Sequence, residues 1–282
     1  MKRKPMSRKA ALPHYLLLIA VGIIMVFPIL WMLLSSFKPN EEIFSNVGLW
    51  PSTFNFNSYM QGWVGHGQYT FGHFFMNSFR LVIPTVLFTL LSSSIVAYGF
   101  ARFNFPFKKL LFSIMISTLI LPNAVLVIPR YLLFRRLNWL DTYYTFTIPA
   151  LFGCTPFFIY MFVQFFRNIP LELDESARID GCNSFMIFIK IMVPLCRPAF
   201  ISAAVFQMVW TWEDFFNSLI YITSTENFTV SLALRMAMDT SESANWSGIL
   251  AMAVLSMVPC VIVFFSSQKY FVEGISSSGM KD

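Results

Sequence analysis

Five predominantly apolar stretches of this sequence run for at least 20 residues without a charged side chain: His14 to Phe37, Leu81 to Ala101, Leu110 to Pro129, Thr142 to Phe166 and Ser243 to Gln268. A helix of about 20 apolar residues crosses the roughly 30 Å hydrocarbon core of a bilayer, so each stretch is long enough to be a span. A sixth candidate begins at Pro198, meets Glu213 and Asp214 after 15 residues, and continues apolar to Ile222. Composition excludes an ordinary water-soluble domain: 56% of the residues are hydrophobic and 12% charged, where globular domains carry about 25% charged residues. The expected fold class is therefore all-α integral membrane. Spans are expected at 14–37, 74–101, 110–129, 142–166, 198–222 and 245–268, after a tail at 1–13, with 14–282 forming one transmembrane domain.

Charge placement orients these spans. The first follows Lys2, Arg3, Lys4, Arg8 and Lys9 and so begins like a signal peptide, but its apolar run is too long and no small-residue cleavage site follows. It reads as a retained span. With the amino terminus inside, the cytoplasmic parts hold 14 of the 20 Lys and Arg, while Lys38, Arg80, Arg130, Arg135, Arg136 and Arg235 stand near the outside. The positive-inside rule then puts both termini in the cytoplasm, with the cluster Arg130, Arg135 and Arg136 running against it. A net charge of +6 raises the question of nucleic acid, yet the basic residues sit at helix ends and form no aromatic-laced patch. No nucleic-acid partner is expected.

Between the first two spans, a loop from about Lys38 to Gly72 is long enough to hold short structure of its own. After the fourth span the chain changes character, because 167–197 carries eight charges, four of each sign. Pro170 suits a first helical turn, and Glu172, Asp174 and Glu175 favour the positive end of a helix dipole. Asp174 stands four residues before Arg178 as a candidate surface pair. Gly181 fits the left-handed position that closes a helix, and Asn183 or Ser184 can cap a second one running to Pro194. The small residues Ser176 and Ala177 leave one side of the first helix open to another backbone. From physics alone this segment is either a docking knob or a solvated connector.

Glu175-Ser-Ala-Arg-Ile-Asp-Gly-Cys182, followed by Ile191-Met-Val-Pro-Leu-Cys-Arg-Pro198, resembles the EAA loop of ABC importer permeases. That pattern is roughly E-A-A-x-x-D-G-A, with an I-x-x-P-like ending before a transmembrane helix. Ser176 replaces the first Ala and keeps the side chain small. Other pieces resemble the carbohydrate-uptake branch, in the style of maltose-system permeases: Pro28 and Trp31 before Ser36-Phe-Lys38, Asn77-Ser78, Ala97-Tyr98 with Ala101-Arg102, Trp210-Thr-Trp-Glu-Asp-Phe215, and Glu273-Gly-Ile-Ser-Ser-Ser-Gly279. The resemblance covers nearly the whole chain. It implies a type I importer permease fold, with a coupling helix between spans 4 and 5 that seats on a cytoplasmic ATPase through Glu175, Ser176, Ala177, Asp180 and Gly181. It implies as partners a second homologous permease, two ATPase subunits, an extracellular or periplasmic solute-binding protein and a sugar, in a bacterial cell membrane. This sequence contains no G-x-x-x-x-G-K-[ST] loop, so ATP and Mg would be held by the partner ATPase, and neither cofactor nor enzyme activity is expected of this chain.

Trp210, Trp212, Glu213, Asp214 and Asn217 are candidates for the substrate path, since aromatic faces and carboxylates suit polyols. Their alternative role is interfacial anchoring and hydration of a helix end. Glu213 stands where the family commonly has Asn, and Ser218 where Pro is frequent, so family contacts are not transferred here. His14, His66 and His73 show no metal spacing. Cys154, Cys182, Cys196 and Cys260 form no C-x-x-C pair and are expected as free thiols. No convergent Ser/His/Asp or paired carboxylates support an intramembrane enzyme. A stand-alone secondary transporter, or a permease for a solute other than sugar, is the competing reading; the former would call for ionisable groups deep in the spans.

Overall fold

A computed structural model describes residues 8–46, 48–65, 68–153, 155–239 and 245–278, with side chains from 12 to 270. The expectations for Lys2 to Lys4, His66, Cys154 and the side chains of the 273–279 motif lie outside the described residues. In chain order come α1 (Arg8–Ser35), α2 (Glu42–Ser45), α3 (Asn57–Val64), α4 (Phe71–Arg102), α5 (Lys108–Thr118), α6 (Asn123–Arg136), α7 (Tyr144–Leu151) and α8 (Pro156–Asn168). There follow α9 (Glu172–Ile179), α10 (Ser184–Ile187), a π-helical turn (Phe188–Met192), α11 (Val193–Leu195), α12 (Arg197–Trp212) and α13 (Phe215–Tyr221). A 3-10 turn (Thr225–Asn227), α14 (Val230–Asp239) and α15 (Trp246–Ser278) complete the order, and no strand occurs among the described residues.

Among the described residues, four helical stretches are long and apolar enough to cross a membrane: Leu12–Ser35, Phe71–Arg102, Tyr144–Asn168 and Trp246–Tyr270. Two bent pairs raise the number to six if each counts as one span. The unbroken helix expected at 110–129 is instead α5 and α6, bent by 101°. Pro122 explains the break, because it has no N–H and pushes Leu121 out of the helical region. The preceding hydroxyls turn back on their own backbone, Ser117 Oγ to Ser113 O at 2.8 Å and Thr118 Oγ1 to Met115 O at 2.6 Å. The helix expected at 198–222 is divided as well. Asp214 accepts the Asn217 N–H at 3.1 Å and so starts α13 afresh. The longer apolar run lies on the other side of α12, where Ser184–Leu195 and Arg197–Trp212 form a pair bent by 78°.

Two compact units emerge, one from residues up to Phe71 with Leu234–Met257, the other from Gly72–Ala233 with Val258 onward. In the first, the loop after α1 wraps a fully buried lysine. Lys38 Nζ donates to Asn46 O at 3.0 Å and to Gly48 O, which satisfies a charge that would otherwise be costly to bury. The Phe37 ring packs on Phe54, Phe56 and Tyr59, and Asn40 Oδ1 accepts the Trp246 N–H at 2.7 Å where α15 begins.

The second unit has an aromatic core. Phe158, Phe162 and Phe166 are wholly buried and spaced four apart, so they form one stripe along α8. Ala199 and Ala203 on α12, also four apart, are small enough to let that stripe approach, and Phe162 meets Phe200 at 4.6 Å between ring centroids. Ala97 and Tyr98 of α4, Phe188 and Met192 close the same cluster. This core is the seat of the 167–197 segment.

Candidate functional site

The chain leaves α8 through Ile169 and Pro170 and enters α9, whose residues divide by face. Glu172, Glu175, Ser176 and Ile179, at helical spacing, are exposed, whereas Asp174 and Ala177 are buried. Of the five residues singled out for coupling, Glu175, Ser176, Asp180 and Gly181 are therefore exposed, and Ala177 faces inward. The end of α9 is a Schellman motif: Gly181 N–H donates to Arg178 O at 3.0 Å, Cys182 N–H to Ala177 O at 2.9 Å, and Gly181 takes φ +83°. Asn183 then caps α10 by accepting the Met186 N–H at 2.8 Å.

Apolar residues that sequence reasoning did not single out surround this helix on the exposed side. Ile179 is 87% exposed and Phe185 66%, with Leu171 and Leu173 also open. Their signal was available, since Ile179 lies on the same helical face as Glu175 and Ser176. The buried side is held by electrostatics. Asp174 does not pair with Arg178 as its spacing predicts; its Oδ2 lies 3.1 Å from Nε of Arg102, the last residue of α4. The same guanidinium donates to Ile169 O at 2.9 Å, and Tyr98, one turn earlier, donates from its hydroxyl to Ser184 O at 3.2 Å. Burial pushes the Asp174 carboxyl upward, while Arg102 and Arg178 pull it back down.

A cavity of about 880 Å³ lies in the second unit. Trp210, Asp214 and Asn217 line it, but Trp212 and Glu213 do not. Trp212 is 5% exposed and packs on Phe75 and Phe79, and Glu213 is exposed elsewhere. Asp214 is committed to its neighbour, accepting from Asn217 Nδ2 at 3.0 and 2.8 Å. The facing wall comes from α6, where Asn123, Leu126, Arg130, Leu133 and Phe134 line the cavity at helical spacing, with Leu137 just past its end. Arg130, discordant as a loop charge, thus belongs to this wall and donates to Asn123 Oδ1 at 3.1 Å. Thr85 and Thr89 of α4 add hydroxyls, and Trp139 and Gln207 further polar edges. The arrangement offers hydrogen bonds and aromatic faces to a polar solute but brings no nucleophile and base together. Among the described residues no group of three His, Cys, Asp or Glu is placed to hold a metal ion.

Comparison with known proteins agrees with this architecture. Residues 89–277 match the family described as "Binding-protein-dependent transport system inner membrane component". The arabinooligosaccharides transport system permease protein AraQ of Halalkalibacterium halodurans is 32% identical over 265 residues, which cover 93% of each chain. The galactooligosaccharides transport system permease protein GanQ of Bacillus subtilis is 27% identical over 95% of this chain and 94% of its own. Among solved structures, a chain of a bacterial ABC transporter involved in the import of the acidic polysaccharide alginate superposes with a TM-score of 0.82 at 21% identity, covering 95% of this chain and 100% of that one. The chain belongs to the family of binding-protein-dependent transport system inner membrane components, the ABC permease subunits, which are parts of transporters and not enzymes.

Proposed function

We propose that this chain forms half of the path for a sugar or oligosaccharide in an ATP-driven importer, and that α9 is the helix that seats on a cytoplasmic ATPase. The observation that carries the reading is the split of α9 into a buried face held by Arg102 through Asp174 and an open face of Glu175, Ser176 and Ile179. A connector would bury its apolar residues or replace them with polar ones; an 87% exposed Ile179 beside small and acidic residues fits a knob for a partner groove. A second homologous permease completes the path, two ATPase subunits bind ATP and Mg, and an extracellular solute-binding protein delivers the sugar. Both termini lie in the cytoplasm of a bacterial cell. The names of the relatives and the cavity of Trp210, Asn217 and Gln207 support a carbohydrate cargo.

The test is uptake by the full transporter, assayed with a panel of labelled oligosaccharides. Glu175→Lys and Gly181→Pro are expected to abolish uptake while the protein stays in the membrane. Normal uptake by both variants would remove α9 from the coupling role.

A further inference from the structure

We propose that Arg102 is the positioning residue through which motion of α9 reaches the wall of the cavity. This rests on the docking of α9 given above and adds the route from it. Arg102 and Asp174 have side chains 3% and 5% exposed. A buried ion pair resists separation, because parting the charges leaves both desolvated and unmatched. Arg102 also holds Ile169 O, at the entry to α9, and Tyr98 holds Ser184 O just beyond its exit. The end of α4 therefore grips the α9 segment before, within and after the helix. Thr85 and Thr89 lie further along the same α4 and line the cavity. Pro84 is the only proline within α4, and it precedes both threonines. From Thr89 to Arg102 the helix is thus uninterrupted, about 20 Å of rigid rod at 1.5 Å per residue. A rigid element held at one end by the coupling helix and forming cavity wall at the other is a physical carrier of coupling.

The experiment follows α4 without needing the cargo. In the assembled transporter with its native cysteines replaced, a cysteine is placed at Thr85 and its rate of maleimide labelling is measured with and without ATP and vanadate. The parent is expected to change its labelling rate about ten-fold on adding nucleotide, within the usual range for coupling between sites. Arg102→Gln and Asp174→Asn should each lose that response, and the double variant should be no worse than either single, as befits one shared link. Arg102→Lys, which keeps the charge, should retain part of it. A full nucleotide response in Arg102→Gln or Asp174→Asn would overturn the proposal. So would failure of every variant to assemble, which would make the pair a folding element alone. If the parent itself shows no response, the docking of α9 is what fails.

Discussion

Ser78 caps a helix that begins 152 residues later: its Oγ accepts the Val230 N–H at 2.9 Å, at the first residue of α14. Its neighbour Asn77 donates to Glu226 O at 2.7 Å and to Phe228 O at 3.1 Å, and both side chains are 2% exposed. The 222–230 loop is thereby fastened to α4. Asn77→Ala should cost about 2 kcal/mol, since it removes two hydrogen bonds worth roughly 1 kcal/mol each. Ser78→Ala should cost about 1 kcal/mol, the usual value of a cap. Thermal unfolding of the purified protein checks the order; a larger drop for Ser78→Ala would mean that the amide contacts are dispensable.

The same loop is held from its other side by Asp141. Its carboxylate accepts the Thr223 and Ser224 N–H groups at 3.0 and 2.8 Å and the Ser224 hydroxyl, from a backbone at φ +60°. Burial alone would raise this carboxyl, but the bonds from Ser224, Thr223 and Asn227 outweigh it and hold the carboxyl below its ordinary value. The sign follows from linkage: a depressed carboxylate contributes stability that is complete above the unfolded value, about 3.9, and is lost as pH falls through the folded one. Amide exchange at 223–224, corrected for intrinsic rate, should therefore quicken as pH drops below about 4. Asp141→Asn should flatten that dependence. Exchange protection that is flat through this window in the parent protein would refute the assignment.

Gly62 on α3 leaves no room for a side chain. A Cβ there would stand 2.7 Å from Gly248 O, a backbone atom, and 3.0 Å from Met252 Cγ. Gly62→Ala should destabilise by about 1–3 kcal/mol, the range for overpacking. Gly22→Ala is the control, because nothing lies within 4 Å of a Cβ at that position. Yield of monodisperse protein and its melting temperature should fall for the first and hold for the second.

What could be read from the chain follows the range of the interaction concerned. The Schellman end at Gly181, the cap at Asn183 and the break at Leu121-Pro122 are local, set by residues within a few positions of one another, and residue chemistry alone identifies the first two. Pro122 marks the break, but it sits inside an uncharged run of 20 residues whose length alone fits one unbroken span. Asp174 shows the opposite limit. Spacing favours Arg178, four residues away and exposed, over Arg102, 72 residues earlier; only packing decides that the carboxylate faces inward. The cavity lies between these cases. Trp210 and Asp214 were legible as polar and aromatic groups near a helix end, whereas Trp212, two residues on, turns into the packing against Phe75 and Phe79. Arg130 follows the last residue of an uncharged run and so reads as a loop charge, whereas α6 continues past it to Arg136.

Gly181 allows its two possible roles to be separated. Its φ of +83° penalises any residue with a Cβ, yet a Cβ built there meets nothing within 4 Å. If the residue acts by conformation, uptake should fall in the order Gly, Asn, Ala, Val, because Asn visits the left-handed region more readily than other residues. The step from Gly to Ala should be about 1 kcal/mol. If it acts by allowing a partner's backbone close, Asn should be worse than Ala. Uptake by the three variants in the full transporter distinguishes the cases.

Trp210 and Trp212 stand two apart on α12 and should fail in different ways. Trp212 is 5% exposed with Phe79 at 5.0 Å, so Trp212→Ala removes packing and should cost about 3–5 kcal/mol of stability. Trp210 is 47% exposed and lines the cavity, backed by Phe157 at 5.1 Å. Trp210→Ala should leave the melting temperature nearly unchanged and raise the KM for oligosaccharide uptake, by about ten-fold if one stacked sugar is lost at roughly 1.4 kcal/mol. Trp210→Phe keeps a ring face and should recover most of the loss. An unaltered KM in Trp210→Ala would place the sugar path away from this wall, and a stability loss equal to that of Trp212→Ala would reassign Trp210 to packing.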